Sequence, residues 1–266
     1  MIRIKKGEEP KILSDNKVQW TDNLMDLVRQ YGSYNKIPLD KKNAAISHYK
    51  HEDISNALKG NSGKAKCVYC ESYVDVTCYA NIEHYHPKSI YPDETFCWDN
   101  LFIGCTRCNN PKDNFDTKNE PFIHPVKDDP EEFLTFDDLL YIPKYGDGIA
   151  YQKAKNVIDK CALQGLRLFQ VHAKIEETFL KSRETLVECI KKYKAHIRED
   201  YKINDAIAIY GYILCLKEEA SDDALYAGFM RYLLRKYCEV REAVMIINQH
   251  KEDIGLPSDF DWGFRF

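Results

Sequence analysis

Four cysteines in two closely spaced pairs give the strongest chemical signal in the sequence. Cys67 and Cys70 form the first CxxC pair, and Cys105 and Cys108 form the second. Two thiolates three positions apart can bind one ion because a tight turn points both sulfur atoms in the same direction, and two such turns complete a tetrahedral S4 site. The spacing therefore predicts one structural Zn2+ per chain, with metal binding coupled to folding.

The remaining cysteines lack paired spacing and are expected in the core. They are Cys78, Cys97, Cys161, Cys189, Cys215 and Cys238. Cys78 and Cys97 are the substitute ligands if one of the four is not a ligand. The alternative, that both pairs are unrelated buried thiols, is disfavoured because two CxxC spacings in one short region seldom arise by chance.

The gap between the pairs contains residue types that suit phosphodiester hydrolysis. It is 34 residues long, against about 15–20 in an ordinary zinc ribbon, and includes IEHYHPKS at residues 82–89 and the segment WDNL at 98–101. A histidine of near-neutral pKa can take a proton from water, and a carboxylate can hold a hard divalent cation. Taken alone, His84 is more typical of a polar residue at a strand end, and the competing interpretation of Glu83 is a surface charge.

The local geometry predicts two strands and a helix around this segment. Glu83 and His84 are adjacent, so on a strand their side chains leave on opposite faces. A twisted or bulged strand end near Pro87 would then be needed to bring both to one phosphate. Asn110 as a cap and Pro111 as first residue predict a helix that opens after the second CxxC pair.

The order of these features resembles the zinc-clamped form of the HNH endonuclease family. Along the chain they are the first CxxC turn, the acid-His strand, the Asn-Leu segment, the second strand and the second CxxC turn. The resemblance implies a ββα-metal unit in which Glu83 binds a catalytic Mg2+ or Mn2+ ion and His84 activates water. It implies further that Asn100 orients the loop and the histidine, and that Asn109 is a metal ligand. The family more often has histidine at that last position.

Four further polar residues are candidates for supporting the site or contacting phosphate. They are His86, Lys88, Arg107 and Lys112. His86 is assigned this role rather than that of the base because the family pattern puts the base directly after the acid. Each of the three basic residues could equally be a solvated surface charge.

Longer stretches resemble the HNH effectors of Septu and retron-associated anti-phage defence systems. The resemblance is carried by IRIKKGEEPKIL, CVYCES, IEHYHPKSIYPDETFCWDNL, GCTRCNNPKDN and PFIHPVKDDPEEFLTFD. It implies cleavage of nucleic acid during infection and a partner ATPase of the ABC/SMC type (PtuA-like). Two alternatives stay open: an adaptor that binds nucleic acid or protein without catalysis, and a zinc protein whose Cys and His serve structure only.

The predicted fold class is α+β, mainly α-helical. We expect a partly helical segment at 1–60, with helices near 21–31 and 41–58, and a hinge at residues 60–63. The nuclease unit then spans 61–125, a linker 126–150, and a helical domain with an aromatic tail 151–266. Apolar residues at three- and four-residue intervals indicate the helices after residue 151.

Charge and hydropathy restrict the class of protein. The net charge is −4, from 38 basic and 42 acidic residues, which argues against coating nucleic acid by bulk charge. Basic clusters at 191–198 and 231–236 could contact nucleic acid, face the ATPase or be solvated helix faces. No apolar run reaches the roughly 20 residues of a membrane span, and the start lacks a signal sequence, so a cytoplasmic protein is expected.

Overall fold

The computed structural model describes residues 1–61, 65–74, 80–257, 260 and 262. Two compact units comprise Met1–Gly165 and Leu166–Phe266. Helices predominate and the described strands form two small antiparallel sheets, which confirms the α+β, mainly helical class. The predicted hinge at 60–63 and the end of the aromatic tail lie partly outside the described residues.

Three helices open the first unit. They are α1 (Lys11–Tyr31), α2 (Leu39–Ile46) and α3 (Glu52–Asn61). Helix α1 begins ten residues before the helix expected near 21, directly after Pro10. Proline disfavours helical backbone for the residue before it but not for the residues after it. The second predicted helix is instead two, separated by a 3-10 turn at Ser47–Lys50.

A hairpin and a short helix form the centre of this unit. Strands β1 (Ala80–His84) and β2 (Leu101–Cys105) pair antiparallel, with Glu83 opposite Phe102 and His84 opposite Leu101. Every residue of β2 is buried. Helix α4 (Thr106–Lys112) follows β2 directly and packs on both strands.

Helix α4 begins earlier than the sequence predicted. Cys105 precedes its first residue in an extended conformation, and Pro111 lies inside the helix rather than at its start. The second CxxC pair therefore spans the end of β2 and the first turn of α4. Pro111 lacks an N–H, so the helix loses only the hydrogen bond that this group would have donated to the Arg107 carbonyl in the first turn. A seven-residue helix accommodates the loss of that one bond. Asn109 is consequently a helical residue, one turn before Asp113, whose N–H donates to the Asn109 carbonyl at 3.0 Å.

The segment predicted as a linker contains regular structure. Helix α5 (Pro130–Phe133) leads into a hairpin of β3 (Leu134–Asp137) and β4 (Leu140–Pro143). Helix α6 (Gly148–Lys160) packs on β4, α5 and α4. Its buried residues, including Ala154 and Val157, supply the apolar surface that joins it to the first unit.

The second unit is helical. It contains α7 (Leu166–Ala195), α8 (Glu199–Glu219), α9 (Ala227–Lys236) and α10 (Cys238–Gln249). Each buries an apolar stripe, as in α9 with Phe229, Leu233 and Leu234, the pattern expected of an amphipathic helix on a core.

Basic residues of both predicted clusters in this unit have acidic partners. In the first cluster Lys191 pairs with Glu188 and Lys194 with Glu242. In the second, Arg231 pairs with Asp222 and Lys236 with Glu176. These pairs favour solvated helix faces over a continuous basic patch, because paired charges present a weaker field to an anion.

The burial of β2 predicts a large effect of truncating its central side chain. Ile103 is 0% exposed and Ile149 on α6 is 67% exposed. We expect Ile103→Ala to lower the free energy of unfolding of the first unit by about 2–5 kcal/mol, and Ile149→Ala to change it by less than about 0.5 kcal/mol. Urea unfolding followed by tryptophan fluorescence checks this, and equal midpoints for the two variants would contradict the assigned core.

Candidate functional site

The four paired cysteines converge on one buried point. The Sγ atoms of Cys67, Cys70, Cys105 and Cys108 all lie within 4.8 Å of one another, and those of Cys70 and Cys105 are 3.7 Å apart. A tetrahedron with Zn–S bonds of about 2.3 Å has edges of about 3.8 Å. The cluster can therefore hold a metal ion, and its dimensions and four soft donors fit Zn2+.

Hydrogen bonds shape the first turn of this cluster. The Glu71 N–H donates to the Cys67 carbonyl at 2.9 Å, and the Cys67 N–H donates to the Ser72 carbonyl at 2.9 Å. Glu71 has a φ of 57°, the left-handed conformation that lets the chain reverse so tightly. The Val68 N–H donates to the Ile103 carbonyl at 3.0 Å, which fixes the turn to β2.

A bound cation would compensate the negative charge that these sulfur atoms carry as thiolates. Burial raises the pKa of the Cys67 thiol well above its ordinary value, whereas hydrogen bonds from neighbouring thiols, led by Cys105, hold the pKa of Cys70 well below its own. The four sulfurs can therefore not all be thiolates in this buried space unless a cation joins them. Of the two substitute ligands, Cys97 is exposed and outside the cluster, and Cys78 lies outside the described residues.

His84 is buried at the end of β1. Its Nε2 is 3.0 Å from the Thr95 carbonyl oxygen, and its ring meets the Tyr49 ring edge-on at 4.7 Å. Because a carbonyl only accepts, Nε2 carries the hydrogen and Nδ1 has the lone pair of the neutral ring. Burial, reinforced by the charge of Lys88, lowers the pKa of His84 to about 3, so the ring is neutral at physiological pH.

Glu83 forms a buried ion pair with Lys112. The Lys112 Nζ is 2.5 Å from Glu83 Oε1, with the two side chains 1% and 3% exposed, and it also donates to the His84 carbonyl at 2.9 Å. The Tyr69 hydroxyl donates to the same Oε1 at 3.2 Å. Burial raises the pKa of Glu83 in spite of these partners. Lys112, a candidate for phosphate contact from the sequence, thus binds the protein's own carboxylate.

Asn100 fixes the loop that follows β1. Its Oδ1 accepts from the His86 N–H at 2.6 Å, and its Nδ2 donates to the carbonyls of His86 and Glu94, both at 3.1 Å. The side chain is buried, so these three bonds satisfy it where water does not. The His86 ring in turn contacts Glu94, with Nδ1 2.5 Å from Oε2.

An open cleft of about 300 Å3 brings predicted site residues together. Glu83, His84, Lys88 and Asn109 all line it, so two adjacent strand residues do reach one space. His84 is the last residue of β1, and the chain after it bends, which frees its side chain from strict alternation. Gly104 makes the close packing possible, since a Cβ there would lie 3.2 Å from that of Glu83 and 3.8 Å from that of Asn109.

The other two candidates are placed differently. Arg107 is exposed on α4 and does not line the cleft. His86 is half-buried, and its ring packs against Glu94 and Tyr91 rather than lining the cleft.

Several residues of the site gave little or no sequence signal. Asp113 lines the cleft, and its position one turn after Asn109 is evident only once α4 is known to begin at Thr106. The Thr95 carbonyl and Tyr69 hydroxyl carry no spacing signal, because their roles depend on tertiary contacts.

Comparison with known proteins adds a resemblance over part of the chain. No protein-family model matches it. A Septu protein PtuB of Bacillus thuringiensis is 33% identical over 144 residues, which are 53% of this chain and 54% of that protein. Another Septu protein PtuB, of Bacillus mycoides (strain KBAB4), is 27% identical over 229 residues, 74% of this chain and 75% of that protein. The chain thus spans about half the length of the first relative, and its resemblance to PtuB is confirmed. In the described residues no helix is long and apolar enough to cross a membrane.

The thiol cluster predicts that a metal stabilises the first unit. We expect one zinc per chain by elemental analysis, and a melting temperature that falls by 10 °C or more on chelation because metal binding contributes to folding. Cys105→Ser should lose the zinc, while Cys215→Ser, at an exposed cysteine outside the cluster, should retain it. Full zinc content in Cys105→Ser would contradict the assigned ligands.

Burial of His84 predicts acid destabilisation. In the unfolded chain His84 protonates near pH 6.5, but in the folded protein only near pH 3, so stability is lost as pH falls below about 6.5. Between pH 6 and 5 the contribution is about 1 kcal/mol per pH unit. We expect His84→Gln, whose side-chain amide can donate to the Thr95 carbonyl from the position of the imidazole Nε2, to lose less stability over this interval than wild type in urea titrations. Identical pH slopes would contradict a buried neutral His84.

Proposed function

We propose that this chain is a metal-dependent nuclease of the HNH type that hydrolyses phosphodiester bonds as the effector of a Septu-type anti-phage defence complex. The observation that carries the proposal is His84, held as a neutral base beside Glu83 and Asn109 in one open cleft. The hairpin and helix around the thiol cluster support a ββα-metal unit clamped by Zn2+. The resemblance to Septu protein PtuB supports the biological setting.

His84 is the general base in this proposal. The Thr95 carbonyl holds the hydrogen on Nε2 and leaves Nδ1 to accept a proton from the attacking water. The pKa near 3 keeps the ring ready as an acceptor, but it also makes a weak base. Anionic phosphate in the cleft would raise the basicity of the ring, because a nearby negative charge favours the imidazolium ion.

Glu83 and Asn109 are the residues that would hold a divalent Mg2+ or Mn2+ ion. Their carboxylate and amide oxygens are the donors that such hard cations prefer. Lys112 and Tyr69 both contact Oε1 of Glu83, which leaves Oε2 as the oxygen for a cation. When bound, the ion would neutralise phosphate charge and stabilise the leaving oxygen.

The remaining residues position these groups. Lys112 joins the Glu83 carboxylate to the His84 backbone, and Asn100 closes the loop behind them through His86. Such preorganisation matters because misplacement by about 1 Å can cost a hundredfold in rate.

A partner is part of the proposal. The proposed partner is an ATPase of the ABC/SMC type (PtuA-like), with nucleic acid as substrate and the cytoplasm as location. The chain's net charge of −4 and the paired basic clusters of the second unit support a shared grip on nucleic acid, because a free-standing nuclease needs a more positive surface.

The buried ion pair favours a second candidate, an adaptor without catalysis. Lys112 already compensates Glu83, so the carboxylate is stable without a divalent ion. Asn109, where the family more often has histidine, is also a weaker ligand. In this alternative the zinc-clamped unit would bind nucleic acid or the partner, and His84 would serve only structure.

Substitution of the base separates the two candidates. The chain is co-expressed with the proposed ATPase partner and incubated with plasmid, single-stranded DNA and tRNA in Mg2+ or Mn2+. We expect cleavage by wild type, and a rate at least about 100-fold lower for His84→Ala because a general base contributes that much. His196→Ala, at a histidine of the second unit paired with Asp205, should retain the wild-type rate.

The outcomes are distinct. Equal cleavage by wild type and His84→Ala would exclude His84 as the base. Absence of cleavage by any variant, with one zinc per chain present, would favour the adaptor.

A further inference from the structure

A second cleft of about 330 Å3 adjoins the candidate active site. The two clefts share Ile82, Lys88 and Asn109 in their linings. The second is completed by Tyr49, Lys50 and other residues of the N-terminal helical segment and β1. Tyr49, Lys50 and Ser55 therefore supply a wall from outside the β1–β2 hairpin that carries Glu83 and His84.

The two clefts differ in charge. Glu83 and Asp113 line the first cleft, as suits a cation. Among the described residues, those that line the second cleft include two lysines and no carboxylate, and Ser55 and Asn81 supply polar groups that can donate hydrogen bonds. Its chemistry suits an oxyanion rather than a metal ion.

The two lysines approach one aromatic ring. The Nζ atoms of Lys50 and Lys88 are each 5.9 Å from the centroid of the Tyr49 ring, and neither has an ion-pair partner in the described part of the chain. Burial lowers the pKa of Lys88, the Glu83 and Asp113 carboxylates of the first cleft oppose this shift, and the charges of Lys50 and Lys112 add to it. Two positive charges held close together repel each other, and an anion bound between them would reduce this repulsion.

We propose that this second cleft binds a backbone phosphate next to the scissile one, held by Lys50 and Lys88. The nucleic-acid strand would cross Lys88 and Asn109 to pass from one cleft to the other. Tyr49, which contacts His84, would couple the occupied cleft to the position of the base. The inference rests on the proposed nuclease function and adds a substrate subsite from the N-terminal segment.

The first experiment measures salt dependence of binding. The full chain carrying His84→Ala, co-purified with its partner, is titrated onto an oligonucleotide of the class that wild type cleaves. Loss of one phosphate contact reduces the slope of log K against log salt by about 0.7–0.9, which is about a five- to eightfold loss of affinity at 0.1 M salt. We expect this for Lys50→Gln. Lys36→Gln, an equal change of charge at an exposed lysine outside the cleft, should leave slope and affinity unchanged.

A second experiment locates the contact on the substrate. After the wild-type cut is mapped, single linkages flanking it are replaced by neutral methylphosphonates. At one flanking linkage, the replacement should lower the affinity of the protein that retains Lys50 by the same factor as Lys50→Gln lowers affinity for the unmodified oligonucleotide. The same replacement should not lower the affinity of the Lys50→Gln variant any further. Additive losses at every linkage would overturn the subsite.

Failure of the subsite and of the nuclease are distinguishable. If wild type cleaves and Lys50→Gln binds like Lys36→Gln, the subsite is wrong and the nuclease stands. If wild type does not cleave and the chain binds no oligonucleotide, the proposed function fails first.

Discussion

The convergence of four buried thiols determines the geometry of the first unit. The first pair is bonded to β2 through Val68, and the second pair spans the end of β2 and the first turn of α4. A metal on these sulfurs would therefore lock the angle at which α4 leaves the hairpin. Asn109 and Lys112 reach Glu83 and His84 only at that angle, so a structural site governs the candidate active site.

The ion pair of Glu83 with Lys112 has a different physical character. Desolvation of two buried charges offsets most of their attraction, so such a pair contributes little net stability. Its value lies in geometry, because one ammonium holds a carboxylate and the backbone of the neighbouring residue at once. Removal of either partner would leave a buried charge uncompensated. The pair thus restricts Glu83 to one orientation, whether the unit cleaves nucleic acid or only binds it.

The N-terminal helices complete the site rather than merely precede it. Tyr49 borders His84, and Lys50 enters the lining of the adjoining cleft. Both belong to the 3-10 turn that separates α2 from α3. The turn between the two helices thus supplies two side chains to the lining of the adjoining cleft.

The sequence by itself determined the chemical components and their local order. CxxC spacing, a property of tight turns, predicted the thiol cluster, and apolar periodicity predicted the helices of the second unit. Glu83 and His84 of the acid-His pair line one cleft together with two other candidates from the sequence, Lys88 and Asn109, while Asn100 of the Asn-Leu segment holds the neighbouring loop.

Only the tertiary structure decided the partners of those residues. Asn110 and Pro111 are typical of a helix start, so the sequence predicts that α4 begins there. The buried cysteine cluster, a non-local constraint, begins the helix at Thr106 instead. The Thr95 carbonyl, the Lys112 ammonium and the Tyr49 ring reach His84 or Glu83 through contacts distant in sequence. Sequence spacing reports what neighbouring residues can do together, but burial and long-range packing decide which atoms meet.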